Sequence, residues 1–253
     1  MDERYITIYG RHAVIEALTH RPDAVHAVWL RDDVRQDVQR AVADQLQNLT
    51  IWSGKTPPVT LPAGATHQGV IARLDRKRFL IDYKDFLPTL TPTAAHAYVI
   101  LGELQDPHNV GAVIRNAAAF GLAGVLVPKH RQASITGTVV KVSAGMAFRV
   151  PLIEVGNVNR AIEDCKQAGY FVYGLAGEGG VALPQEDFRK PSVFVLGSEG
   201  DGLREKTRQH CDVLIRIPTH ERCESLNVAA AAATVFYAWS SQHPAALCAN
   251  KHP

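Results

Sequence analysis

From Tyr98 to Ser240 the chain alternates short apolar runs with short helical ones, and the apolar runs tend to end in polar loops. Tyr98–Leu101, Val125–Val127, Val150–Val155, Tyr170–Leu175, Val193–Leu196 and Val213–Ile217 read as strands. Helices are expected over Val110–Phe120, Thr136–Ser143, Leu203–His210 and Leu226–Ser240. Another is expected behind Asn157, with Val158, Ala161, Ile162, Cys165 and Ala168 facing inward. Gly121 and Gly169 stand where helices stop. Strands with helices between them imply a mainly parallel sheet covered on both faces. In such a sheet, ligands sit outside the carboxyl ends of the strands.

The N-terminal part is smaller and mixed. Arg11–Leu18 and Asp33–Leu46 read as helices, the second with Val34, Val38, Ala41, Val42 and Leu46 on one face. Val25–Leu30, Thr50–Trp52 and Gly69–Leu74 read as strands. Between the two parts, Pro88, Pro92 and several threonines interrupt any periodicity. The expected division is therefore 1–76 as a small α/β domain, 77–97 as a linker, 98–241 as the main domain and 242–253 as a loose tail. A length of 253 residues fits two domains.

Bulk charge narrows little: the formal net charge is +2, so any basic surface must be local. No apolar run is long enough to span a bilayer, and Met1-Asp2-Glu3-Arg4 does not begin a signal peptide. Cys165, Cys211, Cys223 and Cys248 form no C-x-x-C pair, which points to reduced thiols in the cytoplasm and to no metal site.

Three polar loops follow strands of the main domain. Asp106-Pro107-His108-Asn109 leads to Arg115 on a largely apolar helix. On residue type alone Asn109 reads as a helix N-cap, and Arg115 reads equally as a surface charge or as a planar fork for a phosphate. Gly197-Ser198-Glu199-Gly200-Asp201-Gly202 has the spacing G-x-x-G-x-G, which is not the dinucleotide fingerprint. Its two acids would repel a pyrophosphate and suit a cationic or hydroxyl-bearing ligand; the plain alternative is a tight turn capped by Asp201. The third loop runs from Ile217-Pro218 to Ser225-Leu226-Asn227 and opens the last helix, with Ser225 as the simple N-cap reading. Cys223 has no base beside it in sequence and reads as an incidental thiol.

In this order the three loops resemble those of the SPOUT methyltransferases, specifically the SpoU (TrmH-like) RNA 2′-O-ribose methyltransferases. The matching stretches are Asp106 to Arg115, Leu196 to Leu203, and Ile217-Pro218 with Ser225-Leu226-Asn227-Val228. Tyr9-Gly10-Arg11-His12-Ala13-Val14 and His67-Gln68-Gly69-Val70 extend the likeness to the N-terminal part, so it covers nearly the whole chain. Within the family the arrangement looks most like the enzymes that methylate a guanosine ribose of 23S rRNA.

The resemblance implies an α/β C-terminal domain with a deep trefoil knot, a feature no general topology rule predicts. It implies a bound S-adenosylmethionine, converted to S-adenosylhomocysteine, with no metal. It places Leu196, Gly197, Gly202, Ile217, Ser225 and Leu226 against that cofactor. It makes Asn109, Arg115, Glu199, Ser225 and Asn227 the catalytic set, with Glu199 pairing with Arg115 or facing the sulfonium. It also implies a homodimer with active sites near the subunit interface, and a ribosomal-protein-like N-terminal domain that binds RNA. Arg11, His67, Gln68, Arg73, Arg76, Lys77 and Arg78 are the RNA-contact candidates; by themselves the basic residues among them read as a solvated edge, and His67 reads equally as structural. One stretch departs from the family pattern: Thr219-His220-Glu221-Arg222-Cys223 is charged where a glycine and a small apolar residue are common. Two other readings remain open at this point. The same fold could hold RNA without chemistry, or act on tRNA. A nucleotide-dependent oxidoreductase is disfavoured by the missing G-x-G-x-x-G.

Overall fold

The computed structural model describes residues 4–34, 36, 49–178 and 180–248. The expected Asp33–Leu46 helix lies largely outside the described residues. Two sheets organise the rest. Strands β1 (Tyr5–Tyr9), β2 (Val25–Arg31), β3 (Leu49–Trp52) and β4 (Val70–Asp75) form a four-stranded sheet in the order β1-β4-β2-β3. β4 runs antiparallel to both β1 and β2, whereas β2 and β3 are parallel. Burial alternates along β1, with Ile6 and Ile8 turned towards the core. The helix Arg11–His20 packs on that side through Val14, Ala17 and Leu18.

The second sheet contains β5 (Ile81–Asp82), β6 (Ala97–Ile100), β7 (Gly124–Pro128), β8 (Leu152–Val155), β9 (Phe171–Leu175), β10 (Val181–Ala182), β11 (Ser192–Val195) and β12 (Val213–Arg216). Its order is β10-β12-β9-β11-β6-β7-β8-β5, and every pairing is parallel. Every residue of β6, β7 and β11 is buried, which is why these strands read as continuous apolar runs. After β6 the chain winds outward through β7 and β8, then crosses to β9 on the other side. β11 closes the gap between β9 and β6. The loops after β6 and β11 therefore emerge side by side where the winding changes direction, the usual place for a ligand.

The expected linker is folded. Helical turns at Arg76–Phe79 and Tyr83–Phe86 flank β5, which pairs with β8. Asp75 and Asp82 cap these turns by accepting from the N–H of Lys77 and Lys84. Phe79, Leu80 and Phe86 are buried, and that burial offsets the poor periodicity of the stretch. Of the expected loose tail, residues 242–248 are described and 249–253 lie outside the described residues. Pro244–Leu247 forms a helical turn whose Ala246 carbonyl seats against Gly121, where an added Cβ would lie 2.1 Å from it.

One apolar core runs beneath both sheets, from Ile8 and Leu30 to Val99, Val113 and Phe236. Polar contacts reinforce the seam. Arg149 donates two hydrogen bonds to Glu16, at 2.8 and 2.9 Å. This pairing holds the Glu16 carboxyl below the usual glutamate range, against an opposing effect of burial. Arg76 pairs with Glu154, and Gly137 lies so close to the Thr7 carbonyl that a Cβ would come within 2.3 Å. Among the described residues no helix is long and apolar enough to cross a membrane.

Candidate active site

The helix Pro107–Ala119 begins three residues earlier than expected. Its N-cap is Asp106, whose carboxylate accepts from the His108 N–H at 2.8 Å, and Pro107 occupies the first turn. An Asp-Pro pair is a strong start signal, because aspartate satisfies a free N–H and proline has none to satisfy. Asn109 is thereby released from capping. Its Nδ2 donates to Glu199 Oε1 at 3.1 Å, and its Oδ1 accepts from Asn227 Nδ2 at 3.0 Å.

Ser225 is likewise not the cap of the last helix. Asn227 is: its Oδ1 accepts from the N–H groups of Ala229 and Ala230 at 2.9 and 3.4 Å. One asparagine therefore both starts the helix Val228–Gln242 and hands a donor to Asn109. That helix packs on Pro107–Ala119 through buried Ala229 and Ala232, and Asn116 donates to the Ala229 carbonyl at 2.9 Å. The small side chains of the alanine run permit this approach.

The glycine loop after β11 is a tight turn. The main chains of Ser198 and Gly202 exchange hydrogen bonds at 3.0 and 3.2 Å. Ser198 Oγ, rather than Asp201, caps it by accepting from the Asp201 N–H at 3.3 Å. Gly197 is needed for space: a Cβ there would lie 2.1 Å from the Gly202 carbonyl carbon. The turn aims Glu199 back at the first loop, where the N–H groups of Gln105 and Asp106 donate to its carboxylate at 3.2 and 3.3 Å. Desolvation alone would raise the Glu199 pKa. The donors Asn109, Gln105 and Asp106, with a bond from its own backbone, outweigh it and bring the pKa below the ordinary 4.5.

Beside this hydrogen-bonded chain opens a cleft of about 620 Å³, of a size suited to a small organic ligand. Leu196, Gly197, Glu199, Gly202, Ile217, Ser225, Leu226 and Asn227 all line it, so the second and third loops meet as expected. Sequence reasoning missed Leu175, Ala176, Gly177 and Glu178, which enter because β9 lies between β11 and β12. Nothing in the sequence reports that strand order. Among the described residues the lining includes Glu178, Glu199, Asp201 and Glu224, against Arg208 as its one arginine. The charged loop Thr219 to Cys223 folds on itself, with Cys223 N–H donating to the His220 carbonyl at 2.8 Å.

Arg115 stands apart. It is exposed, does not line the cleft, and among the described residues has no ion pair with Glu199 or any other carboxylate. At about 100° per residue it emerges roughly 120° round the helix from Asn109. The N-terminal candidates divide. Gln68 Oε1 accepts from the Arg11 N–H at 3.2 Å, and His67 Nδ1 accepts from the Gly69 N–H at 3.1 Å, so both organise their own loop. Arg73 lies between two rings, its guanidinium 6.0 Å from the Tyr5 centroid and 5.4 Å from that of Trp29. Arg76 is held by Glu154, and Arg78 donates to the Asp23 carbonyl. Lys77 remains exposed.

Comparison with known proteins gives the geometry its family. A model described as the SpoU rRNA Methylase family matches residues 96–237, and one described as RNA 2′-O ribose methyltransferase substrate binding matches residues 7–80. The chain belongs to the SpoU rRNA methylase family. It joins the methylase segment of that family to the substrate-binding segment of RNA 2′-O ribose methyltransferases. Among SpoU relatives, the 23S rRNA (guanosine-2′-O-)-methyltransferase RlmB of Pseudomonas syringae is 37% identical over 235 residues, covering 88% of this chain and 90% of that one. RlmB of Xanthomonas campestris is 44% identical over 173 residues, 68% of this chain and 69% of that one. The SpoU methyltransferase AviRb from Streptomyces viridochromogenes, solved with AdoMet, shares the fold with a TM-score of 0.79 at 22% identity, over 96% of this chain and 92% of that one. A TrmH-family protein from Porphyromonas gingivalis aligns with a TM-score of 0.75 at 25% identity, over 94% and 90% of the two chains.

Proposed function

We propose that this SpoU methylase transfers a methyl group from S-adenosylmethionine to the ribose 2′-hydroxyl of a guanosine in 23S rRNA. The observation that carries the reading is the chain Glu199–Asn109–Asn227 at the mouth of the cleft, which joins all three loops. The names of the RlmB relatives support the guanosine and the RNA. The cleft fits a cationic cofactor. A Cβ on Gly177, Gly200 or Gly202 would meet nothing within 4 Å, so backbone lines open space, and the carboxylates of the lining complement a sulfonium or an ammonium.

Leu196, Gly197, Ile217 and Leu226 would hold the cofactor through their backbone, with Gly202 leaving room and Ser225 closing the third side. When bound, S-adenosylmethionine supplies an electrophilic methyl carbon on a sulfonium. The protein's task is then alignment of a hydroxyl and removal of its proton. Asn109 and Asn227, held by Glu199, orient the ribose. A guanidinium is a poor base and a good clamp: the fork of Arg115 grips a phosphate of the bound nucleotide and stabilises negative charge growing on the 2′-oxygen. The proton passes to substrate phosphate or solvent.

Because Arg115 lies away from the chain's own cleft, we place the active site beside a subunit interface of a homodimer, as the family resemblance implies. A trefoil knot at the end of the C-terminal domain belongs to the same reading. The test is transfer of labelled methyl by the purified protein to 23S rRNA and to bulk tRNA, followed by ribose-methylation mapping. Label on tRNA alone, or on no RNA despite cofactor binding, overturns the assignment.

A further inference from the structure

The loop after β7 carries Lys129-His130-Arg131 at the carboxyl edge of the large sheet, next to the loop after β6. All three residues are exposed. The Lys129 ammonium turns to Asp82, 3.7 Å away, whereas among the described residues Arg131 has no ion pair and its guanidinium no hydrogen bond. Arg131 sits in left-handed backbone, with φ of 55°, a conformation that a residue with a Cβ rarely adopts. Glu103, in the facing loop, does the same with φ of 64°.

This strained turn is clamped. The Arg131 carbonyl accepts from Gln105 Nε2 at 2.6 Å. Gln132 Oε1 accepts from the Leu104 N–H at 2.7 Å, and the Ala133 N–H donates to the Leu104 carbonyl at 2.7 Å. Among the described residues the buried Gln132 Nε2 has no hydrogen-bond partner. Gln105 is the joint between this turn and the site. Its side chain fixes Arg131, and its main-chain N–H donates to Glu199 at 3.2 Å. Strain held in place beside a reacting centre points to a positioning role.

From this wiring we infer that Arg131 is an RNA-phosphate contact that sets the register of the nucleotide chain against the target ribose. The inference rests on the RNA-methylating reading above. A guanidinium fixed on a rigid turn loses less freedom on gripping a phosphate than one on a mobile loop. The turn shares hydrogen bonds with the Glu199–Asn109–Asn227 chain, so the grip is transmitted as position to the site.

Arg131→Gly tests this, because glycine removes the guanidinium and also relieves the left-handed backbone. The probe is a transcript of the 23S rRNA segment that the wild-type protein methylates. The expected variant melts no lower than wild type and binds S-adenosylmethionine equally well. Its KM for RNA rises about tenfold while kcat stays within about threefold, and the salt slope of RNA binding falls by about one. Arg131→Lys recovers part of the KM, since it restores charge without the fork. Wild-type KM and salt slope in Arg131→Gly overturn the inference, as does a loss that falls on cofactor binding. If the wild-type protein itself methylates no RNA, the functional reading fails instead.

Discussion

Asn109 and Arg115, two polar residues of the helix Pro107–Ala119, stand on opposite terms. At its start, Asn109 is satisfied on both sides, by Glu199 and by Asn227, and two further main-chain donors complete the carboxylate. Further along, Arg115 is exposed and without an ion pair among the described residues. Asn109 is held by the chain itself. Arg115 is the residue proposed above to take a phosphate of the RNA. The contrast separates a group held by its neighbours from one that the fold leaves exposed.

The largest effect that sharpens this contrast belongs to Arg115→Ala. Methyl transfer to RNA should fall by roughly 10²–10³. An exposed residue without partners changes stability by no more than about 0.5 kcal/mol, so the melting temperature and cofactor affinity should stay near wild type. Steady-state kinetics with a thermal melt checks both, and wild-type turnover would break the contrast.

Asn109→Ala should behave differently because it removes a group already in use. Turnover should fall by roughly 10–10², and stability by about 1 kcal/mol, or roughly 2–4 °C in melting temperature. A smaller effect is the coupling between Asn109 and Asn227. Their alanine variants, measured singly and together by denaturant unfolding, should depart from additivity by about 0.5–1 kcal/mol. Arg115→Ala combined with either should be additive in stability, since it shares no partner with them.

The smallest effect concerns pH. The folded pKa of Glu199 lies below the ordinary 4.5, so its stabilising contribution is fully present above that value. It is lost only as pH falls through the lower folded value. Turnover should therefore show no step from Glu199 between about pH 5 and 8, and an NMR titration of its carboxyl should give a midpoint under the ordinary one. A midpoint above it would mean that the donors from Asn109, Gln105 and Asp106 are absent in solution.

The cap positions show how far local reading goes. Asn109 and Ser225 are good capping residues, and sequence pattern places both at helix starts. The structure moves each start by a few residues, to Asp106 and to Asn227. In the first case the Asp106-Pro107 pair carries the correct signal. In the second, serine and asparagine compete within three positions, and only packing of the alanine run on Pro107–Ala119 sets the register. The stretch before β6 was unreadable for another reason: its short turns owe their order to Phe79 and Phe86 buried against distant strands, not to any period of their own.

The sequence by itself determined the strands other than β1, β5 and β10, the polar loops at their ends, the parallel character of the large sheet and the family of its three motifs. These follow from local apolar runs, turn residues and short spacings, which need no knowledge of distant contacts. Only the tertiary structure decided that β11 lies between β6 and β9, that Glu178 joins the cleft, and that Arg115 and Arg131 face outward while Asn109 faces in. Strand order and helix rotation are set by burial summed over the whole core, and no short window of sequence contains that sum.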